Sequence, residues 1–120
     1  MSDRSEELLD QTHDLIESIK ELREALLDYQ KGCERLLRAG ELGRRGSSTV
    51  ERVELYNFAD KRERLAAAMD DFEFTRRRAR VGLIAVAEEE GSNLSDVART
   101  LRVSRQLLSR QTIEAREADS

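Results

Sequence analysis

Proline and tryptophan are both absent from this 120-residue chain, three phenylalanines and two tyrosines are its only aromatic residues, and it has one cysteine and one histidine. Each absence excludes something. Without proline no ring clash interrupts a helix, so long helices can run unbroken. A single cysteine, Cys33, rules out an intramolecular disulfide framework. A single histidine, His13, with no cysteine pair, leaves no ligand set for zinc, and no metal or other cofactor is expected. No apolar run approaches the roughly 18 residues needed to span a membrane. The opening MSDRSEELLD has no apolar core of a secretory signal, so the expected location is the cytoplasm and no membrane partner is expected. There is no glycine-rich phosphate loop and no concentrated acid–base constellation, and an enzyme is not expected. His13 reads as a solvated helix residue, and Cys33 as part of an apolar seam.

What is present is charge: 38% of the residues are Asp, Glu, Lys or Arg, arginine far outnumbers lysine, and the net charge is -4. The distribution matters more than the sum. From Met1 to Gly46 acidic residues outnumber basic ones. Arg76, Arg77, Arg78, Arg80, Arg99, Arg102, Arg105 and Arg110 crowd the C-terminal part, interrupted by Glu88, Glu89 and Glu90. Local positive charge can attract a polyanion while distant negative charge repels it, which predicts weak, salt-sensitive non-specific binding.

The first forty residues carry a heptad pattern. Leu8, Thr12, Leu15, Ile19, Leu22, Leu26, Tyr29, Cys33 and Leu36 recur in steps of four and three, predicting one long helix with a seam. Gly40, Gly43 and Gly46 are expected to break it. Ser48 with Glu51 forms a capping-box signal for a second helix running to about Glu90, with Leu55, Phe58, Leu65, Met69, Phe72, Leu83 and Ile84 on its inner side. Reversal near Gly43 would set Leu22 against Leu65, Leu15 against Phe72 and Tyr29 against Phe58, so an antiparallel hairpin is expected. Leu9, Ile16, Leu27 and Leu37 remain outside its seam. A two-helix hairpin has too little core to cover them, which predicts a homodimer, most simply a four-helix bundle.

The C-terminal stretch from Leu94 to Ile113, LSDVARTLRVSRQLLSRQTI, reads as two short amphipathic helices joined by a turn. Val97, Ala98 and Leu101 share one face of the first, Val103 lies in the turn, and Leu108 begins the inner face of the second. Asn93 can cap the first helix, with Asp96 in its opening turn, and Ser104 can cap the second. Ala98 at the close-approach position, the apolar set Val97, Leu101, Val103 and Leu108, and the opening VSRQLLSR resemble the helix-turn-helix superfamily of DNA-binding proteins, above all the recognition units of resolvases, transposases and small bacterial repressors. The resemblance spans roughly a sixth of the chain. It implies a second, recognition helix lying in the major groove of double-stranded DNA. Arg105, Gln106, Ser109 and Arg110 would then face bases, with Ser104 and Arg102 near phosphates. The chain departs from the pattern twice. Arg102 stands where glycine is usual, so the turn is either strained or differently folded. Gln111 stands where an apolar residue usually closes the core, a gap Leu107 or Ile113 could fill.

Arg76, Arg77 and Arg78 admit two readings: phosphate contacts flanking the head, or a solvated face paired with Asp10, Asp14 or Glu17. The sequence thus predicts an all-α protein with a long coiled-coil-like antiparallel helical hairpin and dimerisation region over 1–75 and a helix-turn-helix head over 76–120. The expected function is a small dimeric, sequence-specific DNA-binding protein, a transcriptional regulator or an accessory factor of a mobile element. Two alternatives stay open: a coiled-coil adaptor that binds a protein partner, and a promoter-recognition module acting with RNA polymerase.

Overall fold

The computed structural model describes residues 2–41 and 48–118, and among them it is all-helical. Five helices follow in order: α1 Asp3–Glu41, α2 Thr49–Leu55, α3 Phe58–Glu89, α4 Leu94–Leu101 and α5 Arg105–Ala118. α1 passes through Gly40, which therefore does not end it. The expected breaks at Gly43 and Gly46, and the Arg44–Arg45 pair beside them, lie outside the described residues.

The second long helix is divided rather than continuous. Ser48 caps α2 with the full reciprocal box: its Oγ accepts from the Glu51 N–H, and the Glu51 carboxylate accepts from the Ser48 N–H. After about two turns the chain leaves the helix at Tyr56, and Asn57 takes a left-handed conformation (φ 55°) before α3 begins. Asparagine is among the few side chains that tolerate that region, and neither hydrophobic period nor proline marks the break.

The contacts define two compact units, Glu17–Glu73 and Met1–Ile16 with Phe74–Ser120, so α1 and α3 contribute to both. In the Glu17–Glu73 unit α1 and α3 run antiparallel: Asp28 pairs with Lys61 at 3.1 Å, Glu21 with Arg64 at 3.1 Å, and Tyr29 meets Phe58 edge to face with ring centres 5.7 Å apart. The Tyr29–Phe58 contact is one of the three that the spacing predicts. Arg64 also reaches Glu24 and Asp28, and its hydrogen bond to Glu21 holds the guanidinium above its ordinary pKa. The Met1–Ile16 with Phe74–Ser120 unit repeats the antiparallel pairing, with Arg78 near Asp14 and Gln11 and Leu8 laid on Gly82.

The seam on α1 is half the expected one. Leu8, Leu15, Leu22, Tyr29 and Leu36 are half-buried as predicted, but Thr12, Ile19, Leu26 and Cys33 are exposed. Their places are taken by Gln11, Ser18, Ala25 and Gly32, of which the last three are buried. α3 answers with the same alternation: Phe58, Leu65 and Phe72 are half-buried, with Ala68 buried between the last two and Thr75 buried after them. Small residues let two backbones approach closely, and an apolar pattern search passes over them. At Gly32 a β-carbon would already press on the Lys61 stem at 3.2 Å. Leu55, Met69 and Leu83, expected inside, are also exposed. Leu9, Ile16, Leu27 and Leu37 are 50%, 43%, 51% and 62% exposed.

A different core closes the C-terminal helices. Ile84, Ala98 and Leu108 are buried together, with Leu94, Val97, Leu101 and Val103 packed around them. Ile84 and Leu108 are fully buried, and removing such a side chain from water contributes about 1.5–3 kcal/mol each.

Candidate nucleic-acid interface

The cap residues place the site. Asn93 Oδ1 accepts the Asp96 N–H at 2.8 Å and starts α4, and Ser104 Oγ accepts the Leu107 N–H at 3.1 Å and starts α5. Both fall where the sequence puts them. Between these helices the chain turns on Arg102, at φ 56° and ψ 42°. The Val103 N–H reaches back to the Ala98 carbonyl and the Arg102 N–H to that of Arg99. This is the Schellman pattern, which ends α3 as well: there Ser92 bonds to Ala87 and Gly91 to Glu88, with Gly91 at φ 87°. The same backbone device is thus built once on glycine and once on arginine. Of the two options open to the turn, this one is the strained conformation. It also explains why Val103, the residue after the left-handed one, packs on the core.

α5 has two faces. Leu108 and Gln111 are buried, and Leu107 is half-buried. Arg105, Gln106 and Arg110 are exposed and Ser109 half-exposed, and the four line one shallow concavity. Ser104 and Arg102 are exposed at the start of the helix and in the turn before it. Every residue assigned to a duplex contact from the sequence therefore presents surface. The face offers guanidinium donors, an amide with both donor and acceptor, and hydroxyls.

Gln111 is buried to 6% exposure, and its Oε1 has no hydrogen-bond partner. A polar group thus occupies the place of an apolar core residue. Ile113 is 53% exposed and does not supply the missing contact.

The three consecutive arginines separate. Arg76 is half-buried. Arg77 grips Glu114 through two nitrogens and so ties α3 to α5. Arg78 lies 3.9 Å from Asp14, and its guanidinium sits 5.7 Å above the centre of the exposed Phe74 ring. Asp14 is a partner the sequence allowed. Glu114 was not singled out, being one carboxylate among many with no spacing relation to Arg77. His13 is exposed, and among the described residues no group of three or more His, Cys, Asp or Glu side chains could hold a metal ion. No helix among those residues is long and apolar enough to cross a membrane.

No family model matches the sequence, and no curated protein or solved structure matches it either.

Proposed function

We propose that this protein is a sequence-specific DNA-binding protein with a helix-turn-helix head over 76–120, dimeric through its helical hairpin, and acting as a small transcriptional regulator or an accessory factor of a mobile element. The observation that carries the reading is the two-faced α5: Leu108 is sealed in the core while Arg105, Gln106, Ser109 and Arg110 share the opposite surface of the same helix. Arg105 donates to the O6 and N7 of a guanine, Gln106 pairs with an adenine edge, and Ser109 and Arg110 extend the contact along the groove. Ser104 and Arg102 take neighbouring phosphates. Arg77, whose guanidinium is held by Glu114, positions α5 rather than touching DNA.

Selection from a randomised duplex pool tests this. The protein should enrich a motif with two half-sites related by two-fold symmetry. Arg105→Ala should weaken binding by about 1–3 kcal/mol and relax preference at one position of each half-site, while leaving the others intact. Failure to enrich any sequence would overturn the reading. An adaptor that uses the exposed leucines of α1 to bind protein, or a module acting with polymerase, leaves the composition of the α5 face without a role unless DNA is also bound.

A further inference from the structure

A cleft of about 590 Å³ opens within the Met1–Ile16 with Phe74–Ser120 unit, walled by α1, α3 and α5. That is the size of a small-molecule site. Its cations are already matched: Arg77 is held by Glu114, which lines the cleft from α5, and Arg78 stands beside Asp14 and over the Phe74 ring. Its other acceptors are not. Glu7 and Asp10, three residues apart on one face of α1, make neither an ion pair nor a hydrogen bond with any described residue. Gln11 also lines the cleft, and its Oε1 is buried against Gly82 without a hydrogen-bond partner. Three acceptor groups thus share the cleft with no donor between them. Phe74 adds a flat apolar surface, 61% exposed even beneath the guanidinium, and Val81 continues it two turns further along the same face of α3.

We infer that this cleft binds a small organic cation carrying N–H donors on a flat apolar body, of the class of aryl amidines and arylalkyl amines. The N–H groups go to the Glu7 and Asp10 carboxylates, where charge-assisted hydrogen bonds are stronger than neutral ones. The apolar body lies along Phe74 and Val81. A buried acceptor without a donor is costly, and an N–H that reaches Gln11 Oε1 relieves it. An anion is disfavoured, because the two guanidiniums that could receive it are engaged and the unmatched charge of the cleft is negative. A quaternary ammonium brings the charge but no donor, and leaves all three acceptors as they were. The inference goes beyond the DNA-binding reading and does not depend on it.

Titration of the full chain with benzamidine, followed by calorimetry and amide NMR shifts, tests the inference. Saturable binding is expected, with shifts centred on Glu7, Asp10, Phe74 and Val81. Phenyltrimethylammonium should bind at least about fivefold more weakly, and benzoate should not bind. These ligand comparisons use the unaltered protein and do not depend on the folding of any variant. Glu7→Gln with Asp10→Asn, and separately Phe74→Ala, should each weaken benzamidine at least about fivefold. Glu6→Gln with Glu17→Gln, which removes two exposed carboxylates outside the cleft, should leave its affinity unchanged. No saturation up to millimolar benzamidine, or equal affinity for the quaternary cation or for benzoate, would overturn the inference. So would equal losses from the two carboxylate pairs, which would reduce the effect to diffuse attraction by an acidic chain, or an unchanged affinity in Phe74→Ala.

Discussion

The two compact units bury different kinds of residue. Among the described residues of Glu17–Glu73 the buried positions are Ser18, Ala25, Gly32 and Ala68, and no large side chain is among them. In Met1–Ile16 with Phe74–Ser120, Ile84 and Leu108 are fully enclosed. The difference follows from geometry. Two helices in contact share a line, and only a short side chain fits wholly within it; leucines on either side keep part of their surface in water. Where α4 and α5 cross over the end of α3, side chains gain neighbours on several sides, and a branched residue can disappear from solvent. The first arrangement specifies direction and register. The second supplies a local hydrophobic core.

This comparison has a direct test with the largest effect. Leu108→Ala or Ile84→Ala should lower stability by about 2–5 kcal/mol, because each leaves a cavity in a closed core. Leu22→Ala or Leu65→Ala, half-buried at the two-helix seam, should lower it by about 1 kcal/mol. Urea unfolding of the four variants checks both. Equal losses would mean that the seam is as closed as the core, and the contrast between the units would fail.

A smaller effect sharpens the contrast from the other side. The better-enclosed unit also contains a defect, because Gln111 lies in its interior with Oε1 unpartnered. An unsatisfied buried polar atom costs about 1–3 kcal/mol, and leucine has a similar shape without the carbonyl. Gln111→Leu should therefore raise stability by about 1–2 kcal/mol, read from the same unfolding curves. Unchanged or lowered stability would show that Gln111 is accommodated and is not a local weakness.

How far the sequence foretold this depends on which physical signal each feature leaves. The caps were legible because Ser48 with Glu51, Asn93 and Ser104 act through local side-chain chemistry. The core residues Ala98 and Leu108 were legible because a short amphipathic helix has only one apolar face. The Tyr29–Phe58 contact followed from the reversal of two long patterns. The inner seam was only half legible. Ser18, Ala25 and Gly32 are buried through their smallness, and nothing in a search for apolar residues distinguishes them from a polar stretch. Cys33 and Leu26 were misplaced for the same reason: two adjacent stripes with one period look like a single stripe until a partner helix selects between them. The break at Asn57 left no signal beyond the asparagine itself. Glu114 could not be matched to Arg77 because their contact depends on how α5 packs against α3, which no spacing rule encodes.

The smallest predicted effect concerns the turn, where the sequence leaves strain as one of two options and the structure has a left-handed arginine. Arg102 holds the left-handed conformation that Gly91 holds at the end of α3. For a non-glycine residue that conformation costs roughly 1–2 kcal/mol, whereas glycine forfeits part of that gain through its greater freedom in the unfolded chain. Arg102→Gly should therefore raise stability by about 0.5–1 kcal/mol. Were arginine present only by drift, duplex affinity would be unaffected. If instead Arg102 takes a phosphate, the same substitution lowers affinity on every sequence and reduces the slope of log affinity against log salt by about one. A more stable protein that binds DNA less tightly would show that the turn keeps a strained residue for its charge, and the two turns would then differ in function as well as in composition.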